Sequence, residues 1–299
     1  MNAVTVRVPA TSANLGSAFD TAGIAFELYN VFSFEKASTL SFEGFDPKFC
    51  NEDNLAYVAY RAVCKRIGAS PEVKITQNSI AVPVSRGLGS SATLTAAGAV
   101  AANALHGNPL SDMEILAVCT EIEGHPDNAA PALFGGLCVS LTDEGVPFSV
   151  RHKVSEKICF TAIYPNFEVA TKDARAVLPK DIDRHDAIFN LSRAALLPHA
   201  FETADFPLLK AVTKDKLHEP YRKKLFRNIA EIENAAYTCG AVSFIVSGAG
   251  STCLCISKEP IADKLNEITA SLDNGWIAIP LRVDQEGALV IKGITHEKA

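Results

Sequence analysis

PVSRGLGSSAT, residues 83–93, is the most informative segment of the chain, and it runs directly into a long alanine-rich stretch that predicts a helix. Gly87 and Gly89 stand where a strand would give way to a helix, and Ser90 and Ser91 open that helix. A helix N-terminus carries unpaired backbone N–H groups and the positive end of the helix dipole. Glycines let the backbone approach an anion closely. The stretch predicts an anion cradle, and a nucleotide phosphate is the commonest anion held this way.

Two other phosphate-binding patterns are excluded at this loop. GxxxxGK[ST] is absent because no Lys follows the glycines, and Ala92 stands where GxGxxG has its third glycine. A strand–turn–helix connection with serine caps and no ligand stays open on this loop alone. The rest of the chain has to decide between them.

Size and composition describe an ordinary globular protein. The 299 residues are enough for two domains, and 48% are hydrophobic while 21% are charged. The net charge of −6, without a basic run, argues against a nucleic-acid partner. No stretch is long and apolar enough for a membrane span, and the N-terminus lacks signal-peptide features. We expect a cytoplasmic protein whose eight cysteines are small core residues.

The order of predicted elements changes near residue 150. Strands are predicted at 4–8, 30–42, 73–82 and 137–141, with helices at 55–63, 91–105 and 111–123, the last capped by Ser111 and Glu114. The second half gives a strand at 158–164, helical segments around 186–199, 205–212 and 221–238, strands at 242–247 and 252–257, a helix at 260–272 and a strand at 276–283. That second order is the split βαβ pattern. We predict two domains, residues 1–152 and 153–299.

Two further polar segments accompany the glycine-rich loop. PATSANLGSAFDTAG, residues 9–23, follows the first strand and offers Asn14 and Asp20 for a polar ligand. SGAGST, residues 247–252, lies between two apolar strands. Ordinary turn chemistry accounts for either segment taken alone, since Asn, Asp and Gly are common turn residues.

The segment EIEGHPDNAAP, residues 121–131, is a further polar stretch in which, taken alone, HPDN is a plausible turn and His125 a plausible surface residue. Glu121 and Glu123 end a helix, where the dipole disfavours carboxylates, so a compensating group such as a cation is indicated. His125, Asp127 and Asn128 follow at once.

In this order and spacing, PATSANLGSAFD, PVSRGLGSSAT and SGAGST resemble the three signature motifs of the GHMP kinases. EGHPDNAAPALFGG, TKDARAVLP at 171–179 and LHEPYR at 217–222 are most similar to segments of the homoserine kinases of that family. The resemblance covers nearly the whole chain. It implies an α+β, two-domain GHMP kinase fold: an N-terminal domain with a left-handed βαβ unit and a C-terminal ferredoxin-like domain.

The resemblance also implies a reaction. ATP and Mg²⁺ would be the cofactors, and L-homoserine would be phosphorylated to O-phospho-L-homoserine, a step of threonine biosynthesis. Another GHMP small-molecule kinase of the mevalonate type, a non-catalytic ligand-binding relative and a binding protein without a nucleotide stay open as alternatives. A homodimer is also left open. Ser17-Ala18 replaces the usual Pro-Gly of the first motif without removing a functional group.

Residue roles carry over from the same resemblance. ATP would be held by the phosphate loop, Pro83, Val84, Ser85, Arg86, Gly87, Leu88, Gly89, Ser90, Ser91, Ala92 and Thr93, with Asn54 near the adenine. The substrate would be surrounded by Asn14, Asp20, His125, Asp127, Asn128, Thr171, Arg175, Arg222 and Gly248. The two arginines would grip its carboxylate bidentately, although each one taken alone is typical of a solvated surface arginine.

The catalytic group would comprise Ser91, Glu121, Asp127 and Asn128. Ser91 and Glu121 would hold Mg²⁺; Glu123 is the alternative, and Glu121 is favoured because it lies further inside its helix and could reach back to Ser91. Asp127 is the nearest candidate for a general base. The alternative is loss of the hydroxyl proton without a dedicated base.

Overall fold

The computed structural model describes residues 1–291, so residues 292–299 of the predicted C-terminal domain lie outside the described part. Numbered in chain order, the strands are β1 Ala3–Ala13, β2 Ala22–Lys36, β3 Ser41–Glu43, β4 Val73–Ile80, β5 Leu137–Asp143, β6 Val146–His152, β7 Cys159–Tyr164, β8 Ala241–Val246, β9 Cys253–Ser257, β10 Ile277–Leu281 and β11 Leu289–Ile291. The helices are α1 Leu55–Ile67, α2 Ser90–Leu105, α3 Asp112–Glu123, α4 Ala129–Phe134, α5 Thr171–Ala176, α6 Arg184–Ala194, α7 Leu197–Thr203, α8 Phe206–Val212, α9 Glu219–Arg222, α10 Ile229–Thr238 and α11 Ala262–Thr269.

The first sheet is mixed and has the order β11-β1-β2-β4-β3, with β5 pairing β2 and β6. β1 and β2 are antiparallel, with Val6 opposite Phe32 and a register shift between Pro9 and Ala10. β3 and β4 are parallel and are joined through α1, which gives the βαβ unit of this half. β1 is longer than the strand predicted at 4–8, which rested on alternating valines. Its second half, Pro9–Ala13, is buried throughout and therefore shows no such alternation.

Helix α2 packs on β1 of this sheet, and α1 and α3 pack against α2. α2 is almost continuously buried, which its run of alanines allows, since small side chains let α1 and α3 pack closely around it. The predicted cap of α3 is confirmed: Ser111 accepts from the Glu114 backbone N–H, and the Glu114 side chain accepts from the Ser111 N–H. No helix within residues 1–291 combines the length and apolarity that a membrane crossing requires.

The second sheet has the order β10-β7-β9-β8, and each neighbouring pair is antiparallel. In chain order this is strand, helices, two strands, helix and strand, with the first and third strands central, which confirms the predicted split βαβ pattern. α10 packs on β8 and α11 on β10. Ile163, Phe244, Val246, Leu265 and Trp276 are among the buried residues of the core beneath these helices.

The end of the described chain returns to the first sheet. β11 pairs with β1, and Val283 forms a bridge with Phe26 of β2. The prediction of one continuous second domain from residue 153 is therefore wrong for Leu289–Ile291. Sequence pattern cannot assign such a short apolar strand to a sheet, because its partner lies far away in the chain.

The cysteines do not form disulfide bonds. All eight lie within the described residues and are free thiols. Five of them, Cys64, Cys119, Cys138, Cys253 and Cys255, are buried core residues. Cys50 is exposed, so the prediction that the cysteines lie in the core is wrong for that residue.

Candidate active site

The N-terminus of α2 keeps its backbone donors free of side-chain caps. Gly89 is the N-cap residue and has a φ of 70°. No side chain of the described residues forms a capping hydrogen bond at this helix start. A Cβ on Gly89 would overlap Thr11 Oγ1, and one on Gly87, at φ 78°, would overlap the Ser247 carbonyl. Glycine is therefore required at both positions, and the first-turn N–H groups are available to an anion.

Some side chains of the loop around these glycines are exposed to solvent, and others are buried in the protein. Val84, Ser85 and Ser91 are exposed, whereas Leu88 is buried against Ala10 and Val82. Ala92 and Thr93 are buried too, and the Thr93 hydroxyl donates to the Ser90 carbonyl. The predicted ATP-binding stretch thus contains side chains that anchor the loop as well as residues that can face a nucleotide.

Arg86 connects the loop to the second half of the chain. Its guanidinium donates to the carbonyls of Pro165 and Asn166, just after β7, and its own carbonyl accepts from Thr252 N–H at 3.0 Å. Ser247 Oγ donates to the Gly87 carbonyl. The SGAGST segment therefore closes one side of the phosphate loop.

Asn54 has a complete structural role. It caps α1, with Oδ1 accepting from Ala56 N–H at 3.0 Å, and its Nδ2 donates to the Phe49 carbonyl at 2.9 Å. Its amide is occupied on both sides, so a position near adenine stays a prediction.

Glu123, and not Glu121, lies beside Ser91. Ser91 Oγ donates to Glu123 Oε1 at 2.6 Å, and Thr95 Oγ1 donates to the same oxygen at 3.2 Å. Glu121 is exposed and forms an ion pair with Arg66. The expected contact between Glu121 and Ser91 is wrong, because residues two apart on a helix point roughly 200° apart. The buried residues Leu116, Cys119 and Thr120 continue to Glu123 on one face of α3.

Burial shapes the electrostatics of Glu123. Removal from water raises the pKa of its carboxyl, and the hydrogen bonds from Ser91 and Thr95 offset only part of that effect. A half-buried carboxylate at a helix C-terminus is destabilised twice, by desolvation and by the helix dipole. Mg²⁺ would relieve both effects, and the oxygens of Ser91 and Glu123 are the kind of ligand that it prefers.

On the other side of the site, Asp20 and Arg175 form a two-bond ion pair. The distances from the Arg175 guanidinium to the two Asp20 oxygens are 2.9 and 3.0 Å. Asn14 shapes this loop, with Oδ1 accepting from Asp20 N–H at 3.0 Å and Nδ2 donating to the Gly248 carbonyl at 3.0 Å. The first and third motifs meet at that carbonyl. Thr171 opens α5, which carries Arg175, and is exposed.

Arg222 is only 2% exposed, so its interpretation as a surface residue is wrong. Its Nε donates to the Ala174 carbonyl at 3.3 Å, and Nη1 donates to the Gly248 carbonyl at 2.8 Å and to His218 Nδ1 at 3.4 Å. Three of its five N–H groups are thus used inside the protein. Only Nη2 has no hydrogen-bond partner among the described residues, which leaves no side of the guanidinium free for the expected bidentate fork.

The HPDN turn completes the polar cluster. Asp127 is buried and its carboxylate contacts His125 Nδ1, while Asn128 Oδ1 accepts from Thr11 Oγ1 at 2.7 Å. Burial alone would lower the pKa of His125, but the bond to Asp127 and its charge outweigh burial and raise it. Ligand atoms of Asp20, His125 and Asp127 lie within 4.8 Å of one another. The structure therefore brings acidic groups and two arginines into one polar cluster.

Several residues of the site were not predicted from the sequence. Thr95 shares Glu123 with Ser91, and Ser247 links the phosphate loop to the third motif. His218 contacts Arg222 from four residues earlier. That spacing, readable in HEPYR, places both residues on one helical face and is a signal that could have found the histidine.

Comparison with known proteins matches both halves of the chain. Residues 54–136 match the GHMP kinases N terminal domain, and residues 199–273 match the GHMP kinases C terminal domain. A curated homoserine kinase of Clostridium beijerinckii is 42% identical, with 97% of this chain and 99% of the relative covered. One of Clostridium botulinum strain 657 is 43% identical, with 96% and 98% covered.

Solved structures give the same result. The homoserine kinase of Cytophaga hutchinsonii superposes with a TM-score of 0.87 at 27% identity, covering 97% of this chain and 98% of that one. The mevalonate kinase of L. major shares the fold, with a TM-score of 0.72 at 14% identity and coverage of 93% and 95%. The chain belongs to the GHMP kinase family.

Proposed function

We propose that this protein transfers the γ-phosphoryl group of ATP to the side-chain hydroxyl of L-homoserine, with Mg²⁺, and so serves threonine biosynthesis. The observation that carries the proposal is the link between two half-sites through Thr11, which lies against Gly89 at the start of α2 and donates a hydrogen bond to Asn128 of the HPDN turn. The uncapped α2 start, with its Ser91–Glu123 pair, therefore adjoins a polar cluster of acidic side chains and arginines. Relatives at 42% and 43% identity carry the name homoserine kinase.

Recognition of the acceptor follows from the charges of the pocket. A zwitterionic amino acid carries an ammonium, which suits Asp20 and Asp127, and a carboxylate, which suits Arg175 and the free Nη2 of Arg222. Asp20 and Arg175 bind each other in this structure. When a zwitterion binds, its ammonium can replace Arg175 as the partner of Asp20, and its carboxylate can replace Asp20 as the partner of Arg175. Neither side chain is then left as an unpaired charge.

On the nucleotide side, the backbone N–H groups at the α2 start and the loop would receive the phosphates. Ser91 and Glu123 would hold Mg²⁺, which neutralises charge on the phosphate oxygens when it is bound. Phosphoryl transfer then depends on placing the hydroxyl in line with the γ-phosphorus. The arginines and the Asn14–Asp20 loop fix the other end of the acceptor for that purpose.

Among the described residues of this cluster, no side chain is well suited to be a general base. Asp127 is the nearest carboxylate, but it contacts His125, and that bond raises the pKa of His125. A carboxylate oxygen that is already engaged by a histidine ring nitrogen is a weaker proton acceptor for a further group. We therefore assign Asp127 to binding the ammonium group, with the hydroxyl proton lost without a dedicated base. The cytoplasmic location and a homodimer stay predictions.

An ADP-release assay tests the proposal. We expect Mg²⁺-dependent ADP release with L-homoserine and none above background with mevalonate, galactose or shikimate. The analogue 4-hydroxybutyrate keeps the carboxylate and hydroxyl but lacks the ammonium, so it should be a much poorer acceptor. Turnover of mevalonate or a sugar without turnover of homoserine would overturn the assignment.

A further inference from the structure

His218 is a completely buried histidine that the reaction described above does not use. It stands at the start of α9 and stacks on the Phe19 ring, with centroids 5.0 Å apart. Its backbone N–H donates to the buried Asp215 carboxylate at 2.8 Å. Asp215 also accepts from the N–H groups of Leu217 and Glu219, which holds this turn rigidly.

The neighbours of the ring determine its tautomer. Nε2 lies 2.9 Å from the Gly16 carbonyl, which can only accept, so Nε2 carries the hydrogen. Nδ1 faces Arg222 Nη1 at 3.4 Å, which can only donate, so Nδ1 presents its lone pair. Burial lowers the pKa of His218 to about 4, in agreement with a neutral ring at physiological pH.

This single ring connects two parts of the acceptor pocket. Gly16 belongs to the loop that contains Asn14 and Asp20, and Arg222 supplies the free Nη2. Three hydrogen bonds limit rotation of the guanidinium, and among the described residues His218 is the only side chain that makes one of them. The Phe19 ring, 5.1 Å from the guanidinium, packs beside it without a hydrogen bond. Loss of the Nδ1 acceptor would leave a buried Arg222 N–H unsatisfied, which favours reorientation of the group.

We propose that His218 is a positioning residue for the acceptor: its neutral ring orients the Arg222 guanidinium toward the substrate carboxylate and ties it to the Gly16 carbonyl. This rests on the proposed function, because it takes Arg222 as a carboxylate-binding group. The role requires an acceptor at the Nδ1 position and a donor at the Nε2 position.

Two amide variants separate these requirements. The amide of His218→Asn reaches the position of Nδ1 and can still accept from Arg222, whereas the amide of His218→Gln reaches the position of Nε2 and can still donate to Gly16. We expect His218→Gln to raise the KM for L-homoserine about tenfold, with the KM for ATP within about twofold. His218→Asn should retain most of the affinity for homoserine.

A double-mutant cycle tests whether the effect passes through Arg222. Arg222→Ala alone should raise the KM for homoserine by about tenfold to a hundredfold. Adding His218→Gln to Arg222→Ala should raise it no further. Asn266→Ala serves as the control, since it removes two hydrogen bonds to Ala278 in the second sheet and should lower stability without changing either KM.

Nitrogen NMR of the wild-type protein and of Arg222→Lys tests the arrangement without any substrate. We expect the neutral Nε2–H tautomer for one buried histidine, with a shift of its Nδ1 signal when Arg222 is replaced by Lys. A protonated ring or the Nδ1–H tautomer would overturn the proposal. So would additive KM effects in the cycle, or a parallel rise in the KM values of both substrates. If wild type does not phosphorylate homoserine, the proposed function fails, while the NMR result still decides the arrangement of His218.

Discussion

The helices α2 and α3 begin in opposite ways, although both belong to the first half of the chain. At α3, Ser111 and Glu114 satisfy each other's backbone donors in a complete capping box. At α2, Gly89 provides no cap, and the serines of the first turn face outward or toward α3. Satisfying the first N–H groups of a helix typically stabilises it by about 1 kcal/mol. The protein omits that stabilisation at the helix whose start adjoins a charged pocket.

The two helices also cooperate at their opposite ends. α3 begins with a self-contained cap and ends with Glu123, which reaches the start of α2. The well-capped helix therefore supplies the carboxylate for the uncapped one. If this comparison is right, changes at the start of α2 and at the end of α3 alter activity, whereas changes at the start of α3 alter only stability.

The largest effect is expected from Glu123→Gln. The amide keeps the shape of the side chain but removes the charge that would bind Mg²⁺, so kcat should fall by about a hundredfold or more. Steady-state assays over a range of Mg²⁺ concentrations would measure this. Glu121→Gln is the matched control and should behave like wild type apart from losing a surface ion pair with Arg66. A large fall in kcat for Glu121→Gln with little change for Glu123→Gln would instead identify Glu121 as the metal ligand.

A smaller effect is expected from Gly89→Ala. The left-handed φ and the overlap with Thr11 would strain or displace the loop, at a cost on the order of 1–3 kcal/mol. We expect the KM for ATP to rise by roughly tenfold while the KM for homoserine changes little. Gly107→Ala is the control, since Gly107 also has a positive φ but an added Cβ there meets no neighbour within 4 Å. An equal rise in both variants would show that backbone strain alone is responsible.

The pH dependence should show the raised pKa of Glu123. Since the carboxylate form is needed for Mg²⁺, activity at limiting Mg²⁺ should rise with pH through that pKa, at a higher pH than an ordinary glutamate requires. Added Mg²⁺ should shift the limb to lower pH, because binding the metal favours the ionised form. Profiles of kcat/KM for ATP at two Mg²⁺ concentrations would measure the shift. If the position of this rise on the pH axis does not change with Mg²⁺ concentration, the rise reports the titration of a group other than Glu123.

The smallest effect on activity is expected from Ser111→Ala. Loss of this cap should lower the free energy of unfolding by about 1 kcal/mol, which thermal or denaturant unfolding can measure. Both KM values and kcat should match wild type, because the start of α3 lies outside the site. A change in ATP affinity would mean that the two helix starts are not independent.

Sequence reasoning was most successful where structure depends on neighbouring residues. The capping box of α3, the glycine-led start of α2 and the order of strands and helices along the second half are all readable locally. Family resemblance supplied the rest of the fold. The position of β11 was missed, because pairing across the whole length of the chain leaves no local pattern.

The site shows the same division between local and distant information. The resemblance implies that Arg222 binds the substrate carboxylate and that Glu121 binds Mg²⁺. The packing of the folded chain determines which atoms of these side chains are available to a ligand. Arg222 uses three N–H groups internally, and Glu121 points away from α2 toward Arg66. Helical periodicity alone would have favoured Glu123, since it continues the buried face of α3 that includes Leu116 and Cys119.

Arg86 limits how this chain could be cut and recombined. Its guanidinium binds carbonyls of Pro165 and Asn166, and its own carbonyl binds Thr252, so the loop that follows it takes its shape from both halves. A fragment ending at residue 152 would keep the whole glycine-rich motif but would lose the hydrogen bonds from Arg86 to the second half of the chain. Exchange of one half between two relatives would preserve nucleotide binding only if the carbonyl contacts of the other half were inherited with it.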